Sequence, residues 1–263
     1  MNTNFVLLLL VGAFVGAASG RLGSFMVLKR MSLVGDALSH VALPGIAVAI
    51  TFGFHPMVGA LLALLSAVLG IWYLGEHSEV YPEALVGVVF TASLAVGILL
   101  TPEPELFEAL FGNIEKMVPV DALVVLAAAS AIFMATRAIS KKLLLSIVSD
   151  ELATSGGVDM PKLNLIYLLL VGFVVALGVK FLGTLLTGAL VIVPAAAAKN
   201  LAKNMQSYWR LSSLFGVISA SAGILIAKFF TIPSGPAVVL VAVGLFLASY
   251  IFKERKKPSP GRP

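Results

Sequence analysis

Residues 31–45 of the chain read MSLVGDALSHVALPG, and within this stretch only Asp36 and His40 are ionisable. Residues four apart lie on one face of an α-helix, one turn from each other, so a helix here places a carboxylate beside an imidazole. The apolar residues continue to Phe54, a length that suits a membrane-spanning helix. Because an ionisable group inside a membrane is energetically costly, the pair is a candidate functional site.

The composition of the whole chain is that of a polytopic membrane protein. Of its 263 residues 59% are hydrophobic and only 12% are charged, whereas soluble proteins average about 25% charged residues. The net charge of +5 does not indicate a nucleic-acid partner, because most Lys and Arg residues lie in short segments between apolar stretches. Since the sequence has no cysteine, it forms no disulfide, thiolate metal site or iron–sulfur cluster.

Nine apolar stretches are long enough to cross a lipid bilayer and are predicted to be membrane spans. They cover residues 4–22, 36–54, 57–74, 82–100, 119–135, 163–179, 182–197, 211–229 and 236–252. The first lacks a basic leading segment and a cleavage site, so it is predicted to be a span and not a removed signal peptide. The seventh is short and contains Gly and Pro, so eight crossings with one partial insertion is the alternative.

The charges between these stretches predict an orientation. With nine spans, basic residues accumulate on one side of the membrane, namely Lys29, Arg30, Arg137, Lys141, Lys142, Lys199, Lys203, Arg210 and the tail from Lys253 to Lys257. The loop 101–118 on the other side carries Glu103, Glu105, Glu108 and Glu115. The positive-inside rule therefore predicts the N-terminus outside and the C-terminus inside. Residues 1–252 are predicted to form one transmembrane domain, followed by a basic, disordered tail at 253–263.

Two segments are predicted to differ from plain spans. In the connection 137–162, Ser149 or Asp150 is predicted to cap a short helix that Gly156 and Gly157 end. Pro194 is predicted to break the seventh apolar helix, and an Ala-rich basic helix is predicted to follow it at the inner surface.

No motif in the sequence supports catalysis. It contains neither a GxxxxGK[S/T] phosphate loop nor an HExxH zinc-protease motif. Asp36 lacks the second in-membrane Asp that an intramembrane aspartyl protease requires. The residues Asp36 and His40 suit Mn²⁺, Fe²⁺ or Zn²⁺ as ligands, and a hydrogen bond that anchors the helix is the alternative role. His55 and His77 are predicted to lie in solvated turns.

Residues 30–45 closely resemble the signature of the metal-cation permeases of ABC importers, the manganese, zinc and iron class. Further matches follow in the family's order at 111–114, at 150–153 with Gly157, at 183–186 with 189–190, and at 194–196. The resemblance extends from about Phe5 to Tyr250. The turn 75–81 departs from it, because relatives often carry Arg where this chain has Glu76, His77 and Glu79.

The resemblance implies an all-α permease that works with a second copy or a paralogue, two cytosolic ABC ATPase subunits and an extracytoplasmic metal-binding protein. Asp36 and His40 match the residues with which family permeases coordinate the cation. The segment 195–204 matches the coupling helix expected to dock into the ATPase, and its candidate contact residues are Ala195, Lys199, Asn200, Leu201 and Lys203.

We therefore expect a cell-membrane permease subunit, without catalytic residues or a tightly bound cofactor, that imports Mn²⁺, Zn²⁺ or Fe²⁺. The acidic residues of the loop 101–118 are expected to attract cations at the outer face. An ion-coupled secondary transporter that uses Asp36 as a proton or cation site is the alternative, and a non-transporting membrane scaffold is a third possibility. If the second span begins at Asp36, a site near mid-membrane requires residues 31–35 to dip inward.

Overall fold

The computed structural model describes residues 3–100, 110 and 119–252, and their regular structure is helical. The helices of these residues are α1 (Thr3–Leu28), α2 (Ser32–Thr51), α3 (Pro56–His77), α4 (Pro82–Leu100), α5 (Pro119–Val148), α6 (Asp150–Ser155), α7 (Met160–Leu182), α8 (Thr184–Leu201), α9 (Met205–Phe230) and α10 (Ser234–Ile251). The predicted all-α fold is confirmed. The predictions for the acidic loop, for the match at 111–114 and for the tail 253–263 lie outside the described residues.

Seven helices of the described ranges are long and apolar enough to cross a membrane, namely α1, α2, α3, α5, α7, α9 and α10. The apolar parts of α4 and α8, Ala84–Leu100 and Leu186–Leu201, are shorter. The architecture is therefore that of a polytopic membrane protein. The count of nine spans, with eight as its alternative, stays a prediction.

Contacts between helix ends show that helices alternate in direction. Lys180 near the end of α7 pairs with Asp121 at the start of α5, with Nζ and Oδ2 2.8 Å apart. At the opposite end of the bundle, Lys29 donates to Asn164 near the start of α7 at 3.2 Å. We call this second end the basic end, because it carries Lys29, Arg30, Arg137, Lys141, Lys142, Lys199, Lys203 and Arg210. The positive-inside rule predicts that it faces the cytoplasm.

Small residues bring α1 and α9 into backbone contact. A Cβ atom added to Gly16 or to Gly216 would overlap the backbone carbonyl of the other residue, and one added to Gly20 would overlap Ser212. Without a hydrophobic driving force between helices in lipid, this close approach is what lets two spans gain packing energy. It makes α1–α9 the most extensive helix pair of the described chain.

We expect Gly216→Ala to lower the thermal unfolding temperature of the detergent-solubilised protein. The new methyl group meets the Gly16 backbone, which cannot move aside as a flexible side chain does, and overpacking costs about 1–3 kcal/mol. Gly244→Ala on α10 is the matched control, because nothing lies within 4 Å of its added Cβ. Equal melting temperatures for the two variants would contradict the assigned α1–α9 contact.

An arginine of the first predicted span lies inside this bundle. Arg21 is 8% exposed, and its Nη2 donates to Ser140 Oγ at 3.1 Å. Its guanidinium lies 5.3 Å from the ring centre of Phe133 and 5.5 Å from that of Trp209. A hydroxyl and two aromatic faces thus hold the charge inside α1, which continues to Leu28, past the predicted span end at Leu22.

The connection 137–162 combines one difference with one confirmed prediction. Its first residues continue α5 to Val148, so the helix extends well beyond the predicted span end at Ala135. The short helix α6 then forms as predicted, with the Ser149 hydroxyl accepting from the Leu152 amide at 3.2 Å. It ends at Gly156, and Gly157 follows with a φ of 77°, a conformation that suits glycine.

The predicted helix break at Pro194 is wrong. The helix α8 runs continuously from Thr184 to Leu201 with Pro194 inside it, so no separate surface helix follows the proline. Proline removes one main-chain hydrogen bond, which a span tolerates when neighbouring helices enclose it. Here α1, α2, α7, α9 and α10 all pack against α8.

Candidate metal site

The candidate pair lies on α2, which begins earlier than the sequence predicted. A tight turn joins α1 to α2: Arg30 has a φ of 60°, and the Met31 amide donates to the Met26 carbonyl at 2.9 Å. Because α2 starts at Ser32 and not at Asp36, residues 32–35 are its first turn, and the condition under which an inward dip of 31–35 would be required is not met. At 1.5 Å per residue Asp36 lies about 6 Å and His40 about 12 Å along the helix. His40 is therefore near the middle of α2 without any irregular backbone.

Asp36 is half-buried where α8 crosses α2. The crossing is close because of Gly188: a Cβ added there would lie 2.8 Å from Asp36 Cα and 2.9 Å from its Cβ and Oδ1. The Ser39 hydroxyl donates to the Asp36 main-chain carbonyl at 2.7 Å, which leaves the carboxylate for other partners. The space beside the carboxylate is thus set by the backbone of α8.

His40 is buried and keeps one ring nitrogen unpaired. His40 is 8% exposed, and no atom of the described residues forms a hydrogen bond with its Nδ1. The ring packs against Phe90 of α4, with ring centres 5.2 Å apart and planes at 71°. Since buried polar atoms are nearly always partnered in proteins, an unpaired imidazole nitrogen one turn from a carboxylate fits a ligand for a passing cation.

Pro44 removes one main-chain hydrogen bond from α2 close to the candidate pair. It lies inside the helix four residues after His40, and proline has no N–H. The main-chain carbonyl of His40 therefore lacks its usual helical donor. In a helix this carbonyl points toward the C-terminal end, away from Asp36, so it does not join the carboxylate and the imidazole in one ligand set.

One chain offers an incomplete coordination sphere. In the part of the chain that the structure describes, no group of three or more His, Asp or Glu side chains could hold a metal. His55 instead caps α3, its Nδ1 accepting from the Met57 amide at 3.2 Å. His77 bonds the Tyr73 carbonyl at 2.8 Å and stacks on the Tyr73 ring. Both histidines are exposed, as predicted, but His77 is the last residue of α3 and not part of the turn in which the sequence placed it.

The residues predicted to contact an ATPase lie at the basic end of α8 and in the turn that follows. Lys199 and Lys203 are exposed, and Leu201 is half-buried. Asn200 is occupied within the bundle, because its Nδ2 donates to Ser249 of α10 at 3.0 Å. Ala195 is fully buried, so its side chain does not reach the surface. The exposed lysines are the surface that this segment presents.

Sequence reasoning did not identify three residues of the site's surroundings. Gly188 and Phe90 come from α8 and α4, and only the folded chain brings them to α2. For Gly188 the signal was its position inside the 183–196 part of the family resemblance. For Pro44 the signal was its spacing of four residues from His40.

The sequence is similar to metal-transport proteins along nearly its whole length. The model of the ABC 3 transport family matches residues 2–253. The manganese transport system membrane protein MntC of Listeria innocua is 31% identical over 94% of this chain and 90% of its own length. The high-affinity zinc uptake system membrane protein ZnuB of Haemophilus influenzae is 28% identical over 94% of this chain and 97% of its own length.

Solved structures include a close match to the fold. PsaBC from Streptococcus pneumoniae, in complex with Fab, superposes with a TM-score of 0.82 at 30% identity. The match covers 94% of this chain and 91% of that chain. The helical arrangement described above is therefore shared with a solved structure and extends across almost the whole chain.

Proposed function

Because the chain belongs to the ABC 3 transport family, we propose that it takes the metal through an in-membrane site built on Asp36 and His40. It is a multi-pass protein of the cell membrane with the role of a metal-import permease, not an enzyme, and ATP hydrolysis in this family belongs to a separate subunit. One observation carries the proposal: an unpaired imidazole nitrogen, buried near the middle of α2, lies one turn from a half-buried carboxylate.

The ligand chemistry supports a divalent transition metal as the substrate. A carboxylate oxygen and an imidazole nitrogen suit Mn²⁺, Zn²⁺ and Fe²⁺ better than the soft Cu⁺ ion. Relatives are named for manganese and for zinc, so these two metals are the first to test. Two side-chain ligands bind such an ion weakly, so the ion can dissociate from the site during transport.

A second copy of this chain completes the site. A twofold axis beside α2 would bring together two carboxylates and two imidazoles, which is enough to replace most of the water around the ion. Exposed apolar side chains on the neighbouring α3 and α4, including Leu62 and Leu99, are suited to covering by a partner or by lipid. The translocation path then lies between two copies.

The metal arrives from an extracytoplasmic binding protein at the end opposite the basic end. ATPase subunits bind the basic end around Lys199 and Lys203, and their closure moves α8. Because Gly188 of the same helix contacts Asp36, this movement changes the space beside the carboxylate. The site is then alternately open to each face, as in other alternating-access transporters.

Reconstituted vesicles test the proposal directly. We expect uptake of ⁵⁴Mn²⁺ or ⁶⁵Zn²⁺ that requires ATP, the ATPase subunit and the metal-loaded binding protein, and competition between the two metals identifies the preferred one. Uptake that is driven by a proton gradient without ATP would replace the proposal by the secondary-transporter alternative.

The basic segment of α8 gives a second prediction. The variant Lys199→Ala with Lys203→Ala should reduce metal-stimulated ATP hydrolysis several-fold and leave metal binding unchanged, because both side chains are exposed and far along the chain from Asp36. Lys142→Ala, an exposed lysine of α5 at the same end, is the control. If the double variant couples ATP hydrolysis to uptake as well as the control does, the ATPase does not dock on these lysines.

A further inference from the structure

A polar cavity lies at the basic end of the bundle, apart from Asp36 and His40. It has a volume of about 230 Å³, many times the roughly 10–15 Å³ that one water needs, so it admits a group of several heavy atoms. Its polar lining comes from the α1–α2 turn, α3, α6 and α7, namely Lys29, Trp72, Glu76, Asp150, Asn164 and Tyr167. Its position at the helix ends places it at the level of lipid headgroups.

The inner part of this cavity is suited to an anion. Lys29 Nζ donates to Asn164 at 3.2 Å and lies 5.2 Å from the ring centre of Tyr167. The Tyr167 hydroxyl is buried and has no hydrogen-bond partner among the residues that the structure describes. Burial lowers the pKa of Lys29, and the charge of Asp150 partly offsets this. A phosphate oxygen would supply both an acceptor for the tyrosine hydroxyl and a counter-charge for the ammonium group.

The outer part of the cavity is suited to a cation. Glu76 is the penultimate residue of α3 and Asp150 the first of α6, and both are exposed. Asn164 and Tyr167, which interact with Lys29, lie about 6 and 10 Å along α7 from its first residue, Met160, at 1.5 Å per residue. The cavity is therefore basic toward the hydrocarbon and acidic toward the aqueous phase.

This order of charges matches one type of lipid headgroup. In a phospholipid the phosphate lies next to the glycerol and the alcohol substituent extends toward water. An anionic phosphatidylglycerol headgroup carries no cation, so the carboxylates of Glu76 and Asp150 would stay without a counter-charge. A bare divalent cation would be repelled by the ammonium group of Lys29. Trp72, whose Nε1 donates to the Pro161 carbonyl at 3.0 Å, supplies the aromatic side chain typical of the membrane interface.

We propose that this cavity binds the headgroup of a phosphatidylethanolamine molecule of the adjacent leaflet, with its phosphate on Lys29 and Tyr167 and its ammonium group between Glu76 and Asp150. Bound lipid links α3, α6 and α7 to the α1–α2 turn. The proposal is independent of the metal site.

Native mass spectrometry of the delipidated permease, titrated with defined lipids, tests the proposal. We expect dioleoyl-phosphatidylethanolamine to bind at least about tenfold more tightly than dioleoyl-phosphatidylglycerol, which corresponds to about 1.4 kcal/mol. Glu76→Gln combined with Asp150→Asn should abolish this preference, and Lys29→Met should weaken both lipids. Glu79→Gln is the matched control, an exposed carboxylate of the same turn that does not line the cavity.

The outcomes separate the alternatives. Equal binding of the two lipids to the unmodified protein, or an unchanged preference in the Glu76 and Asp150 variant, would overturn the proposal. If soluble ethanolamine phosphate displaces the lipid at equal concentration, the headgroup chemistry is supported but a membrane lipid is not the ligand. The Glu76 and Asp150 variant changes only exposed side chains, so the test stands even if Lys29→Met does not fold.

Discussion

Replacing Asp36 or His40 by alanine is expected to reduce ATP-dependent metal uptake at least about a hundredfold, which corresponds to about 2.8 kcal/mol. Each substitution removes one of the two side-chain ligands that a chain contributes to the proposed site. In a twofold assembly it removes two of four, because both copies carry the change. His40→Ala also removes the unpaired Nδ1 atom.

The chain provides its own controls for this experiment. It has three histidines, and His55 and His77 lie at the two ends of α3 with local hydrogen bonds. His55→Ala and His77→Ala should therefore keep uptake near the unmodified level. The measurement is the initial rate of ⁵⁴Mn²⁺ or ⁶⁵Zn²⁺ uptake by vesicles, with size-exclusion profiles to verify folding. Undiminished uptake by both Asp36→Ala and His40→Ala would remove the coordination proposal.

Gly188→Ala is expected to lower metal affinity about tenfold while the protein still folds. The added methyl group would lie within 2.9 Å of three atoms of Asp36, so the carboxylate or α8 must shift. Misplacement of a ligand group by a fraction of an ångström is enough to weaken a metal site. Gly70→Ala on α3 is the control, because nothing lies within 4 Å of its added Cβ.

A double-mutant cycle distinguishes positioning of Asp36 from a general loss of packing. If Gly188 acts through Asp36, the effect of Gly188→Ala on metal affinity should largely disappear in an Asp36→Ala background. An equal effect in both backgrounds would assign Gly188 to packing of α8 alone. The apparent KM for metal should rise more than the maximal rate falls.

The apolar stretches made most of the helical architecture predictable, whereas helix ends depended on contacts that the sequence does not display. The predicted spans 4–22 and 119–135 are shorter than the helices α1 and α5 that contain them, which continue to Leu28 and to Val148. In the folded chain Arg21 stacks on aromatic rings, and the helix that carries Arg137 extends past the apolar part of the bundle. Pro194 was read as a break because its lost hydrogen bond is visible in the sequence, while the five helices that enclose it are not.

Asp36 and His40 could be singled out from the sequence because ionisable residues stand out in an apolar stretch, and their role as metal ligands stays a prediction. Their depth could not be predicted, since it depended on whether α2 began at Asp36 or one turn earlier, at Ser32. The close approach of Gly188 was equally hidden. A glycine has no side chain from which a partner could be predicted, and the contact between Gly188 and Asp36 joins residues far apart in the chain.

The buried arginine of α1 has a consequence for the order in which the protein is made. Ser140 follows Arg21 by 119 residues, and at about 5–20 residues per second a ribosome needs about 6–24 s to add them. Trp209 is synthesised later still. During this interval α1 is in the membrane before Ser140 and Trp209, which contact Arg21 in the folded chain, have been synthesised. The Arg21 guanidinium is then hydrated only if its side chain extends toward the headgroups at the end of α1, about 10 Å away along the helix. Although α1 is synthesised before the other described helices, it is thus among the last of them to reach its final environment.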